Sequence, residues 1–264
     1  MLLISTTLLN ALELNINMGG GLYNTGTNGK LIYQKNFWKD SSAEIIQNDE
    51  SQNFYSWLEV ASDKKYWPKL RLETIQISTK GNSFIHIDAS DSINGLLTNL
   101  EDSLPININD TYYESRLTYN TYEAYLFYEY FEDSNTPSLG LGFGMKKFTF
   151  DYSAVIIEGL VFNDHGDGTL PLFYLSSRYD FVKAKDNSKL SCEGNAKVYL
   201  LGPSTVYDYQ IKMDFLMQYN TSTDIGFELG YRATYFDLKG SDVDAVGGTM
   251  KTSGAFIGFV AHFN

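Results

Sequence analysis

Tyr207-Asp-Tyr-Gln-Ile-Lys-Met-Asp-Phe-Leu-Met-Gln-Tyr219 is the stretch that decides the fold. Tyr207, Tyr209, Ile211, Met213, Phe215, Met217 and Tyr219 fall on one parity; Asp208, Gln210, Lys212, Asp214 and Gln218 fall on the other. Successive side chains of a strand point to opposite faces, so the pattern predicts a strand with one apolar and one charged face. The first strand reads the same way, with Leu12, Leu14, Ile16 and Met18 against Glu13, Asn15, Asn17 and Gly19. Further strands are predicted over 53–63, 67–80, 115–132, 138–151, 170–183, 189–201, 205–220, 223–238 and 250–263, which makes ten. Within 67–80, Leu70 and Leu72 alternate with Arg71 and Glu73, but Ile75 and Ile77 fall on the charged parity. A bulge near Thr74 is expected to restore the register.

The connections between these strands sort by length. Those after even-numbered strands are short (Ser62–Trp67, Glu132–Pro137, Lys183–Ser188, Asn220–Thr223). Those after odd-numbered strands are long (25–52, 81–114, 152–169 and 239–249), with Gly202–Ser204 as the exception. Short turns at one end and long loops at the other mark outer-membrane barrels, whereas a sandwich has no reason to segregate loop length by parity. The fold class expected is all-β: a ten-stranded antiparallel, up-and-down transmembrane barrel with long extracellular loops and short periplasmic turns.

Composition agrees with that class. The 264 residues include 20 Tyr, 17 Phe and 3 Trp, an aromatic excess that interfacial girdles would explain. A net charge of −12 disfavours capture of a nucleic-acid backbone. No window carries about 18 consecutive apolar residues, so no spanning helix is expected. Cys192 is the sole cysteine, which leaves no intramolecular disulfide and no Cys-based zinc cluster.

The charged parity decides which side faces in. Glu13, Glu59, Arg71, Glu73, Glu123, Glu129, Arg178, Asp180, Glu193, Lys197, Lys212, Asp214, Glu228 and Arg232 supply both signs from many strands, and a ten-strand lumen can pair them. The apolar parity, including Leu126 and Leu141, is then expected to face lipid. A soluble barrel would turn the same sequence inside out, with a solvated polar face around an apolar core.

Residues 1–11, MLLISTTLLNA, read as the remnant of a signal peptide, an apolar stretch ending in Leu-Asn-Ala, and 12–264 as one barrel domain. The alternative is that Leu2–Leu14 is an ordinary buried element.

Several segments resemble a group of small proteobacterial outer-membrane β-barrel proteins with a glycine pair in the first strand, an aromatic closing strand and no known function. They are Asn17-Met-Gly-Gly-Gly-Leu-Tyr23, Tyr55-Ser-Trp-Leu-Glu59 leading to Trp67-Pro-Lys-Leu-Arg-Leu-Glu73, Tyr207-Asp-Tyr-Gln210, Phe227-Glu-Leu-Gly-Tyr-Arg232 and Phe256-Ile-Gly-Phe-Val-Ala-His-Phe263. The resemblance implies a fold and a place in the cell envelope of Gram-negative bacteria, and no activity. It also implies that Phe259 and Phe263 form an assembly signal read by the barrel-insertion machinery. Asn264, following the terminal aromatic, departs from the pattern.

Other motifs point less far. Gly19-Gly-Gly21 and Gly140, Gly142 and Gly144 are not followed by a helical pattern, so they read as strand glycines that bend the chain or leave lumen room, not as phosphate loops. Asn163-Asp-His-Gly-Asp-Gly168 resembles the start of a calcium loop, but the twelfth position is Tyr174, so a turn at a loop tip is expected. Ser92–Leu104 carries Ile93, Leu96, Leu97, Leu100 and Leu104 at helical spacing, which suggests a short helix at the barrel mouth. His86-Ile-Asp88 and Asp242-Val-Asp244 distantly resemble the omptin proteases' pairing of aspartate and histidine, in the reverse of their Asp-x-His order; His262 reads as structural.

The functional reading is a non-enzymatic barrel: a structural or surface protein, or a narrow pore with a filled, charged lumen. Cation preference is expected because 81–114 holds Asp88, Asp91, Glu101, Asp102, Asp110 and Glu114, and 152–169 holds Glu158, Asp164 and Asp167, with no Lys or Arg in either. The alternative is a rim protease or lipid hydrolase using loop His and Asp residues. Expected partners are outer-membrane lipid, lipopolysaccharide and the assembly machinery, with the chain a monomer; no cofactor and no metal is implied.

Overall fold

The structure, a computed structural model, describes residues 14–33, 41–47, 52–62, 64, 67–86, 111–131, 136–156, 160–183, 188–201, 204–238 and 246–263. In chain order these form β1 (Leu14–Tyr33), β2 (Ser41–Gln47), β3 (Gln52–Ser62), β4 (Lys69–His86), β5 (Thr111–Tyr130), β6 (Ser138–Ile156), β7 (Leu160–Lys183), β8 (Lys189–Leu201), β9 (Ser204–Asn220), β10 (Thr223–Leu238) and β11 (Val246–Phe263). Each strand from β4 to β11 pairs antiparallel with the next. β11 closes the sheet on β1, from Ile16 opposite Phe263 to Tyr33 opposite Val246. β2 and β3 both lie along β1, opposite Thr27–Tyr33 and Leu14–Asn24 respectively, and together fill one position around the ring. The result is a closed barrel of ten positions.

The apolar parity faces outward. Leu126, Leu141, Ile211, Met213, Phe215, Leu229 and Ile257 are exposed and form a belt. Trp67, Tyr128, Tyr130, Phe181 and Tyr219 are exposed near the short turns, where an interfacial girdle lies. Lys64 caps one of these turns with its ammonium 5.8 Å from the Trp67 ring.

Four expectations need correction. No bulge occurs near Thr74: β4 stays in register with β3 over Leu70–Gln76 and with β5 over Lys69–Ile85. Ile75 and Ile77 therefore point inward, 4% and 2% exposed, because the extracellular half of the interior is apolar. The register shifts seen instead lie between Asp180 and Val182 and between Thr223 and Asp224, close to the short turns.

Second, 152–169 is mostly hairpin. β6 runs to Ile156 and β7 starts at Leu160, and ladder pairing carries both strands past the apolar belt. Third, Asn163–Gly168 is consequently part of β7 rather than a turn. Its glycines face inward, where a Cβ on Gly166 would fall 2.3 Å from the Phe150 ring and one on Gly168 2.6 Å from the Phe148 ring. Fourth, Glu114 and Asp167 are exposed on the outer wall, the parity opposite to the lumen, so these two do not ring the mouth. The remaining long loops are also shortened, since β1 continues to Tyr33, β4 to His86 and β11 begins at Val246. The signal remnant at 1–11, Glu13, the segment Ser92–Leu104, and Asp88, Asp91, Glu101, Asp102, Asp110 and Glu158 lie outside the described residues.

Candidate functional site: the barrel interior

Ten strands spaced about 4.8 Å and tilted about 40° enclose a lumen about 20 Å across between backbones, which long side chains from opposite walls can bridge. They do so in layers, and the strand parity sets which residues take part.

Nearest the short turns, Lys69 pairs with Glu129, which also accepts a hydrogen bond from Ser138. Lys189 lies 2.7 Å from Asp224, and Arg178 reaches Asp180 at 3.3 Å and Ser191 at 3.1 Å. These groups keep part of their surface in water.

The next layer is organised around Trp57. Its indole N–H donates to Glu228 at 2.9 Å, and the Tyr55 hydroxyl donates to the same oxygen at 2.9 Å. Arg71 and Lys212 both lie against the Trp57 ring, at 4.7 and 4.4 Å from its centroid. Lys212 also reaches Asp214 at 3.1 Å, Glu228 at 3.3 Å and Glu193 at 3.4 Å. Arg71 crosses the lumen from β4 to Glu193 on β8 at 2.9 Å and contacts Glu73 at 2.9 Å and Glu59 at 3.5 Å. Gly19 makes room for this arrangement, since a Cβ there would fall 2.4 Å from the Trp57 indole nitrogen and 2.7 Å from the Glu228 carboxylate.

Above it, Arg232, Lys197 and Lys146 interlock with Glu73, Glu123 and Asp208. Arg232 on β10 binds Asp208 through Nε at 2.8 Å and spans the barrel to Glu73 and Glu123, each at 3.3 Å. Lys197 pairs with Glu73 and lies 2.6 Å from Glu123; Lys146 lies 3.0 Å from Glu123 and 3.8 Å from Asp208. Tyr125 donates to Glu73 at 2.6 Å. Buried charges persist only when paired and hydrogen-bonded, and each of these has several partners.

An aromatic layer seals the extracellular side. The Lys146 ammonium sits 5.0 Å from the Tyr199 ring, 5.4 Å from Phe236 and 6.0 Å from Tyr119, which marks the boundary between the two zones. Tyr119 on β5 meets Phe236 on the opposite wall edge-to-face, at 5.3 Å between ring centroids. Phe148, Phe150, Tyr152, Leu117, Ile77 and Met250 fill the remaining space.

Of the residues expected in the lumen network, Glu59, Arg71, Glu73, Glu123, Glu193, Lys197, Lys212, Asp214, Glu228 and Arg232 are brought together. Glu129, Arg178 and Asp180 face inward but stay in the layer nearest the turns, and Glu13 lies outside the described residues. Sequence reasoning missed Lys146, Asp208, Lys69 and Trp57 as members. Lys146 continues the inward parity of Gly140, Gly142 and Gly144, and Asp208 that of Gln210 and Lys212, so alternation held the signal for both. The aromatic seal carried no such signal. On β5 the inward Tyr119, Tyr125 and Phe127 alternate with the outward Tyr122, Leu126 and Tyr128, so both faces look apolar.

For the rim, His86 belongs to β4 and pairs through its backbone with Ser42, while its side chain, Asp88, Asp242 and Asp244 lie outside the described residues. A different histidine–acid pair, His165 and Asp151 at 2.6 Å, lies exposed on the outer wall. No cluster of three or more His, Cys, Asp or Glu suited to a metal ion occurs among the described residues.

A closed sheet with an apolar belt outside and paired charges inside has its surfaces reversed relative to a water-soluble protein. Only a bilayer accommodates that arrangement, and strands that cross one must close so that every backbone group is paired. The protein is an outer-membrane β-barrel. Comparison with solved structures agrees on the fold: the outer membrane protease OmpT from Escherichia coli superposes with a TM-score of 0.53 at 11% identity, over 94% of this chain and 96% of that one. The transport unit of the autotransporter AIDA-I from Escherichia coli matches with a TM-score of 0.37 at 8% identity, over 95% of this chain and 89% of that one. No protein-family model matches the chain, and no curated protein matches it.

Proposed function

We propose that the barrel is a non-enzymatic, closed structural or surface protein of the outer membrane, belonging to the glycine-pair group that its sequence resembles. The observation that carries this reading is the burial of side chains that point into the lumen. Lys146 is 1% exposed and Lys197 0%, although each would be wet in an open channel. Contacts from β10 to β4 and β5 and from β8 to β4 and β5 cross the lumen at the same levels. Ten strands stand only slightly above the roughly eight whose interior side chains fill the barrel, and well below the 16 to 18 of open porins. Gly19 supports the family reading because its missing side chain admits Trp57.

Planar-bilayer recording of the purified protein tests it. The expected result is a silent bilayer or small steps, and large porin-like steps would overturn the closed reading. Any residual current should prefer cations, because inward acids outnumber inward cations on the described strands. Anion selectivity would refute that part.

A further inference from the structure

One seam of the barrel wall has an interrupted backbone ladder. β3 pairs with β4 only from Phe54 opposite Gln76 to Val60 opposite Leu70. β2, which continues the same strand position, pairs with β4 only at Ser42 opposite His86 and Ala43 opposite Ile85. On its other side β4 stays in register with β5 from Lys69 to Ile85. Lys80 and Asn82 therefore have ladder partners on β5, Arg116 and Glu114, and none on the β2–β3 side. The outward side chains along this stretch, Gln76, Ser78 and Lys80, are polar, so it lies above the apolar belt. Backbone groups released from the ladder at that height meet water instead of hydrocarbon.

One side chain spans the interruption. Asn53, buried at the upper end of β3, accepts a hydrogen bond from the Ser78 N–H at 2.8 Å and donates one to the Thr25 hydroxyl at 2.8 Å. It ties β4 to β1 across the end of β3, in the place of a backbone pair. Behind the interruption the inward side chains are small: Thr25 and Thr27 on β1, Thr79 and Gly81 on β4, and Ser115 on β5. Large rings, among them Phe148, Phe150, Tyr152, Tyr199 and Phe236, occupy the interior from the strands further round the barrel. The Thr27 hydroxyl is buried with no hydrogen-bond partner among the described residues.

We infer that the extracellular half of the barrel opens sideways at this seam, between β4 and the strand position shared by β2 and β3, with Asn53 as the latch. Local opening follows the segment with the fewest cooperative hydrogen bonds, and here two hydrogen bonds of one side chain stand in for a run of ladder. Water entering the opened wall satisfies the Thr27 hydroxyl, which offsets part of the cost of releasing Asn53. Small side chains behind the seam let β4 swing out without withdrawing a ring from the core. The opening ends on the aromatic layer, above the ion pairs of Glu73, Glu123 and Asp208. It therefore leaves the barrel closed to ions and is compatible with a silent bilayer.

The test uses the full chain folded in detergent micelles, with Cys192→Ser to remove the native thiol and one new cysteine at a buried inward position. Thr79→Cys lies beside the seam and Thr234→Cys, on β10, lies away from it; the native threonines are 0% and 5% exposed. Reaction with a charged, water-soluble maleimide is followed over time. Thr79→Cys should react about tenfold faster than Thr234→Cys. Asn53→Leu, which removes both latch bonds, should raise the Thr79→Cys rate by about tenfold again and leave Thr234→Cys unchanged. Asn195→Leu, which breaks the buried Asn195–Gln210 amide pair of β8 and β9, should change neither. Heat-modifiable gel mobility checks that every variant is folded, and Thr25→Val, which removes one latch bond, replaces Asn53→Leu if that variant is not. Equal rates at the two cysteines, no rise or a shared rise with Asn53→Leu, or an equal rise with Asn195→Leu would overturn the latch.

Discussion

Replacing Arg232 with Ala should destabilise the barrel by about 3–5 kcal/mol, the usual cost of removing one partner from a buried ion-pair network. Its guanidinium contacts Glu73, Glu123 and Asp208, and the same three carboxylates are otherwise shared by Lys146 and Lys197. Three cations face three acids in that cluster, so the variant leaves one uncompensated negative charge at its centre, although Arg71 still contacts Glu73. The side chains of Arg232 and Asp208 are 6% and 0% exposed, so salt should screen the interaction little. The assay is a urea titration of folding into lipid vesicles, followed by heat-modifiable mobility and tryptophan fluorescence, at 0.1 M and at 1 M salt. Wild type and variant should share one slope and differ in midpoint. Pairing Arg232→Ala with Asp208→Ala in a double-mutant cycle should give a coupling of about 1–3 kcal/mol. A loss below about 1 kcal/mol, or one that halves in 1 M salt, would mean that the cluster is solvated and the lumen open at that level.

Three further outcomes are expected. Leu126→Arg and Leu141→Arg, at positions 41% and 46% exposed on the lipid side, should each cost about 2–4 kcal/mol if near the midplane. Gln210→Arg inside should be milder, and the reverse ranking in a refolding titration would mean that the apolar belt does not face lipid. Gly19→Val should displace the Trp57 indole from Glu228, read as a red-shifted tryptophan emission and a lowered urea midpoint, whereas unchanged emission would show that the close approach is not required. Phe263→Ala should lower the outer-membrane level strongly and deletion of Asn264 should not; normal levels for both would remove the terminal aromatic as an assembly signal.

The transmembrane class was legible because the Tyr207–Tyr219 pattern admits few other folds: seven outward apolar positions against an inward Asp, Gln, Lys and Asp. The short turns were legible for a related reason, since Pro, Asn and Ser clusters interrupt the alternation only where the ladder ends. The lengths of the outer hairpins were not. Above the belt the outer wall is in water and tolerates polar side chains, as with Asp151 and His165 outside β6 and β7, so alternation fades while the backbone ladder continues. The interior was half legible. Charges on the inward parity identified the ion-pair layers, but Ile75 and Ile77 looked like a break in the strand and required a bulge that does not exist.

By itself the sequence determined which residues alternate and which face carries charge, because these follow from the two-residue period of a local chain; β2, Ser41–Gln47, inside the expected 25–52 loop, it did not show. Only the tertiary structure decided that Arg232 meets Glu123 across the lumen, that Trp57 sits between Arg71 and Lys212, and that aromatics close the extracellular half. Those contacts depend on the register and stagger with which ten strands close. That closure sets which inward residues share a level, and no window of sequence contains it.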